Sequence, residues 1–194
     1  MDNLLKDSLE RLLKDLCTPS VIGKVESEAN AVSIWNAIEE SGFADLLVSE
    51  ESGGAGFSWS DAYTLFFLCG QYSLPVPLGA TAYVRALLAK KGFDPVLGPV
   101  SLSSHMQWNH SGQIVSRSTP FGKVSDWVIG NLDRKTYLLP VSDAIVKDTG
   151  IHGSLQAHLV WEKIPPTAID LGAGESIRDC WSAHLDCHDG WCNV

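Results

Sequence analysis

Ser41-Gly42-Phe43-Ala44-Asp45-Leu46-Leu47-Val48-Ser49-Glu50-Glu51-Ser52-Gly53-Gly54-Ala55-Gly56-Phe57-Ser58 is the stretch that decides the fold. A helical pattern runs into Gly42, where a left-handed residue is expected, and a short apolar run leads to two acidic residues and a Gly-Gly-x-Gly turn. Ser58 then opens a new helix, with Asp61 three residues on as an approximate capping box. Adjacent glycines permit positive φ and close approach of backbones, so this segment can fold back tightly between two helices. A phosphate cradle is a poor alternative, because there is no Walker lysine and no GxGxxG after a long strand. Glu50 and Glu51 are consecutive and do not face one another, so they read as solvated loop carboxylates and not as an acid/base pair.

Working outward, the N-terminal side carries Leu4, Leu5, Leu9, Leu12, Leu13 and Leu16 at a spacing of three to four, an amphipathic helix with Asp2 as cap and Pro19 as stop. A second helix is expected over 27–41, burying Val32, Trp35 and Ile38. The third carries Trp59, Ala62, Tyr63, Phe66 and Phe67 and ends at Gly70. The fourth follows the Pro75/Pro77 turn, with Tyr83, Val84, Leu87 and Leu88 on one face, and closes with Lys90, Lys91 and Gly92, which suits the helix dipole.

Beyond Pro95 the period changes. Strand-like runs at 99–103, 113–117, 125–130, 136–141 and 155–161 are separated by turn residues such as Asn109, Gly112, Asp133 and Gly150. The expected fold class is therefore α+β and multidomain: an N-terminal all-α helical domain over 1–95, a small antiparallel β-barrel or sandwich domain over 96–178, and an atypical tail over 179–194.

Composition narrows the function. In 194 residues, 14 Lys and Arg stand against 23 Asp and Glu, a net charge of −9 with no basic stripe, which disfavours nucleic acid and anionic membrane as partners. No run reaches about eighteen apolar residues, and the N-terminus is charged and helix-patterned, so a cytoplasmic protein without a signal peptide is expected. The five cysteines are odd in number, with Cys17 and Cys69 isolated in helical patterns, unlike a secreted disulfide framework.

The helix, glycine, apolar run, acidic pair and Gly-Gly-x-Gly turn together resemble the N-terminal domain of acyl-CoA dehydrogenases, where a Pro-Glu-Glu/Gly-Gly-x-Gly loop joins two helices. Ser49 stands where that family usually has proline. Leu74-Pro75-Val76-Pro77-Leu78 before an Ala-rich helix resembles the approach to the family's fourth helix. Ser111-Gly112-Gln113-Ile114-Val115 through Val124-Ser125-Asp126-Trp127-Val128-Ile129, and then Tyr137 to Val141, resemble its middle β domain. The likeness covers roughly residues 25 to 178.

The resemblance implies α,β-dehydrogenation of a fatty, steroid-derived or other acyl-CoA thioester. A glutamate takes the α proton and FAD accepts the β hydride, while the protein orients the substrate and hydrogen-bonds the thioester carbonyl. It also implies that the base and many FAD contacts lie on a C-terminal four-helix domain beyond this sequence. The chain is then expected to be truncated and inactive alone, or to be a non-catalytic subunit, in a homo-oligomer or beside a partner acyl-CoA dehydrogenase subunit. The family's Thr-Glu-Pro and Gly-Ser-Asp run is missing from Val100-Ser101-Leu102-Ser103-Ser104-His105. Ser103 and Ser104 are its closest hydroxyl counterparts and the candidate cofactor-binding residues; no catalytic residue is assigned.

Other polar residues carry weaker readings. His105, His110, His152 and His158, with Ser154, invite a hydrolase triad, but no G-x-S-x-G elbow surrounds any serine. Cys180, His184, Cys187, His188 and Cys192 offer thiolate and imidazole for zinc, an alternative function as a zinc-binding interaction module, yet the spacing is not the paired CxxC of structural sites.

The tail also suits a frameshift near Asp179. Read one nucleotide later, the codons for Asp186 to Val194 permit Thr-Ala-Thr-Met-Ala-Gly-Ala-Met, a string resembling the first helix of the family's C-terminal domain. The expected result of nucleotide sequencing is an open shifted frame past Val194 that encodes a long helical domain with a glutamate; an early stop in that frame would overturn the frameshift account.

Overall fold

The computed structural model of the chain describes residues 3–173. Five α-helices come first: α1 (Asn3–Leu16), α2 (Pro19–Glu28), α3 (Val32–Glu40), α4 (Trp59–Gln71) and α5 (Leu78–Lys90). Eight strands follow: β1 (Val100–Ser103), β2 (Met106–Trp108), β3 (Ile114–Thr119), β4 (Trp127–Leu132), β5 (Lys135–Pro140), β6 (Ile145–Asp148), β7 (Ala157–Trp161) and β8 (Ile169–Ala173).

Pro19 starts a helix instead of stopping one. Thr18 is the N-cap of α2 and Pro19 its first residue, the helical position where a missing N–H costs nothing. The expected helix over 27–41 is split, because Ala29 takes a left-handed conformation and α3 begins only at Val32, which is 63% exposed and not in the core. Ser58 and Asp61 form a full capping box at the start of α4. Gly70 lies inside α4, and Ser73 ends that helix: at φ 52° its N–H reaches the Gly70 carbonyl while the Leu74 N–H reaches that of Cys69, a Schellman ending with serine in the usual glycine place.

The strands form two four-stranded sheets, β1-β4-β5-β8 and β2-β3-β7-β6. They stack as a sandwich, and the barrel alternative does not occur, since the two sheets keep separate edges. One pair, β1 with β4, is parallel, so the sheets are not wholly antiparallel as the strand spacing suggested. Strand and turn spacing is the same for either closure; pairing between residues as distant as Ser101 and Val128 is what separates them.

The sheet β1-β4-β5-β8 is covered on both faces. Val128 and Leu139 point to the second sheet and pack with Ile114, Leu159 and Trp161, whereas Ile129 and Leu138, one residue along, pack with Tyr83, Val84 and Leu88 of α5. This double burial is why β4 reads as an apolar run with little alternation.

The Gly-Gly-x-Gly segment is a structural turn. Gly53 and Gly56 have φ of 87° and 67°, and a Cβ on Gly54 would collide with the Val48 carbonyl and side chain. Gly54→Ala is expected to destabilise the fold by on the order of 2 kcal/mol or more, because the obstacle includes backbone. Ser49 has φ −61°, the proline value, and its amide donates to no backbone carbonyl among the described residues. Ser49→Pro is expected to stabilise by about 0.4–1 kcal/mol. Denaturant unfolding of the two variants should move the midpoint in opposite directions, and the same direction for both would refute this account of the loop.

Candidate functional site

Where α4 gives way to α5, the chain runs through Leu74-Pro75-Val76-Pro77, every one buried, and this rigid segment forms the floor of a cleft of about 960 Å³. One wall is helical, carrying Trp59, Tyr63, Phe66 and Cys69 of α4 and Leu78 to Ala80 of α5. The facing wall is built from Ser101 and Leu102 of β1, Pro120 and Phe121 after β3, and Gly153 to Gln156 before β7. Trp59 is fixed by tilted ring contacts to Phe66 at 6.0 Å and to Tyr83 at 5.9 Å, so the aromatic wall is anchored to α5.

The lining is mostly apolar, and Glu26 on α2 is its only charged residue among the described residues. A cavity of this size with few polar groups suits a large apolar ligand body. Cys69 faces it as a thiol: burial, with a smaller contribution from Cys17, pushes its pKa up to about 12.

Two buried hydroxyl chains brace the strand wall. Ser101 Oγ lies 2.6 Å from Ser125 Oγ, which donates to the Phe121 carbonyl at 3.0 Å. Ser103 Oγ lies 2.6 Å from Ser116 Oγ, itself 2.6 Å from Thr119 Oγ1. The candidate residues Ser103 and Ser104 therefore part company: Ser103 is buried and engaged with Ser116, whereas Ser104 is exposed just past β1. Both continue the strand whose Ser101 and Leu102 line the cleft.

The other candidates do not assemble. Glu50 and Glu51 are exposed in a short 3-10 turn. His105, His110 and His152 are exposed. His158 Nδ1 accepts from the Ser118 N–H at 3.0 Å, and Ser154 Oγ accepts from the Gln156 N–H at 3.2 Å, so each is committed to backbone and they form no Ser–His pair. The Cys/His tail lies outside the described residues, and among those residues no group of three or more His, Cys, Asp or Glu could hold a metal ion. No described helix is long and apolar enough to cross a membrane.

Glu26 and Phe121 carry no signal of this placement in the sequence, and Ser125 reads there only as the start of a strand. Glu26 sits on the helix hidden behind Pro19, and Pro120-Phe121-Gly122 reads only as a turn.

Solved structures share this fold. The ChsE4-ChsE5 complex from Mycobacterium tuberculosis matches with a TM-score of 0.65 at 14% identity, over 92% of this chain and 58% of that one. A variant of the Tcur3481-Tcur3483 steroid ACAD matches at 0.66 and 15% identity, over 88% and 56%. TdsC from Paenibacillus sp. A11-2, in complex with FMN and indole, matches at 0.55 and 14% identity, over 93% and 56%. The chain thus has an acyl-CoA dehydrogenase type of fold and spans a little over half the length of these proteins. No protein-family model matches it, and no curated protein matches it.

With its folded pKa raised, Cys69 keeps its proton at neutral pH, and the stability this brings is lost as pH rises from about 9 toward 12. At pH 8 its thiolate fraction is about 10⁻⁴, so iodoacetamide should label Cys69 far more slowly than an ordinary exposed thiol. Peptide mass spectrometry of the native and unfolded chain measures this. Rapid native labelling of Cys69 would contradict the burial described.

Proposed function

We propose that this chain forms one wall of the active cleft of a flavin-dependent acyl-CoA dehydrogenase-like enzyme. The observation that carries the reading is the wide apolar cleft between the α4–α5 segment and β1, on a fold shared with a steroid ACAD and an FMN-binding protein. In this reading residues 1–95 are the helical domain and 96–178 the middle β domain.

The chemistry divides as follows. The apolar body of the acyl group is held between Trp59, Phe66 and the Pro75/Pro77 floor on one side and Leu102 and Phe121 on the other. The thioester end lies toward the end of β1, where the exposed Ser104 hydroxyl is free to donate and the engaged Ser103 fixes the strand. A flavin, FAD by family resemblance, supplies the hydride acceptor when bound; of the two candidate positions the exposed Ser104 would contact it from this side, with the engaged Ser103 behind it. The chain's own role is to desolvate and align the Cα–Cβ bond of the substrate.

The α proton needs a positioned carboxylate. Among the described residues the only carboxylate lining the cleft is Glu26, which is exposed, so the base comes from polypeptide outside these residues or from a partner subunit. Tyr63 and Phe67, 68% and 60% exposed on α4 beside the cleft, support a second component closing over it, in a homo-oligomer or with a longer dehydrogenase subunit. The same features favour the second reading, a non-catalytic subunit, because the ChsE4-ChsE5 structure is a complex of two proteins.

The purified chain is expected to retain FAD far below one equivalent through gel filtration and to turn over no acyl-CoA with an artificial electron acceptor, since losing a positioned base costs about 10²–10⁴ in rate. Light scattering is expected to report an oligomer, and a complementary dehydrogenase polypeptide to raise flavin retention. Stoichiometric FAD together with turnover by the lone chain would show that the base lies within it.

A further inference from the structure

The turn at residues 119–122 carries a conflict between backbone and side chain. The Gly122 N–H bonds the Thr119 carbonyl at 3.1 Å, which puts Pro120 and Phe121 at the two central positions. Phe121 has φ 52°. Proline followed by positive φ is the type II arrangement, whose second central position is normally glycine or asparagine because a β-carbon there is strained. A bulky aromatic is a costly occupant, and such strain persists only where the surroundings enforce it.

The surroundings do enforce it. The Phe121 carbonyl accepts from Ser125 Oγ at 3.0 Å and from the Val124 N–H at 2.9 Å, and Ser125 is tied to Ser101 on β1. Ser101 and Ser125 are 1% and 6% exposed, so this bracing is shielded from water. Phe121 itself is only half-buried and lines the same cleft as Trp59 and Phe66. A residue that lines the cleft thus holds a bulky side chain at a position local geometry would give to glycine.

We propose that Phe121 is the specificity-determining residue of the cleft, selecting a rigid, ring-bearing apolar body over a flexible chain, and that Ser125 is its positioning residue. Aromatic residues and prolines among its lining make the slot stiff. A rigid ring system loses little freedom on entering it, while a flexible chain loses rotamers and gains no stacking. The inference deepens the dehydrogenase reading, on which it rests for the ligand being an acyl group. Its test needs neither flavin nor turnover, so the two can fail separately.

The test is calorimetric titration of the full chain with 1-pyrenebutyrate and with laurate, two probes of one charge. The wild type is expected to bind pyrenebutyrate more tightly. Phe121→Asn, which suits positive φ, should keep Tm within about 3 °C and weaken pyrenebutyrate roughly tenfold. Laurate should change by less than about twofold over the same substitution. Ser125→Ala keeps the ring but frees the turn, and should weaken pyrenebutyrate alone, by a few fold. If both probes weaken equally in either variant, or neither changes, Phe121 is not the selector and the proposal fails. Should Phe121→Asn not fold, the ring is structural packing and the proposal is equally overturned.

Discussion

The guanidinium of Arg85 is 2% exposed, and the two carboxylates that neutralise it come from other elements. Glu39, in the last turn of α3, makes a fork-to-fork pair with it at 2.7 and 2.9 Å, and Asp45, just beyond Gly42, approaches the same nitrogen at 3.1 Å. Burial by itself would lower the Arg85 pKa, but the bonds to Glu39 and the charges of Asp45 and Glu39 outweigh it and hold the group above its ordinary value. A buried cation without partners would cost several kcal/mol, so α5 can occupy its place only if α3 and the Gly42 turn occupy theirs. Because Tyr83, Val84 and Leu88 of the same helix pack on β1, β4 and β5, this one ion cluster sets the helical layer against the sheet.

The cleft follows from that fixing. With α5 seated, the buried Leu74–Pro77 segment and the aromatic residues of α4 face the end of β1, and the Ser101–Ser125 and Ser103–Ser116 pairs keep the opposite wall rigid. Preorganisation of this kind favours recognition by shape, with few charges and a large apolar volume. The cleft's wall of Pro, Trp, Phe and buried Ser offers orientation and water exclusion, and it contains little that could move a proton.

Much of the helical layer was legible. The Ser58/Asp61 cap, the left-handed Gly42 and the Lys90-Lys91-Gly92 ending depend on neighbours within a few residues, so local sequence carries them. The misreadings have physical causes as well. Pro19 has the same signature after one helix as before the next, and Val32 fits a helical face that the core does not reach. The strands β2, β6 and β8 were passed over because Met106–Trp108 is short, Ile145–Asp148 is exposed throughout, and Ile169–Ala173 carries Asp170 and Gly172.

By itself the sequence determined that a run of helices gives way to a run of strands near Pro95, and the structural nature of the Gly53-Gly54-Ala55-Gly56 turn, both of which follow from φ/ψ preference and periodicity along the chain. Tertiary structure alone decided that β1 pairs parallel with β4 and that two sheets stack without closing. It also decided that Ser103 is spent on Ser116 while Ser104 stays exposed, and that Phe121 and Trp59 line one cleft. These are contacts between residues thirteen or more positions apart, whose partners are chosen by which surfaces remain to be buried once every local preference has been met.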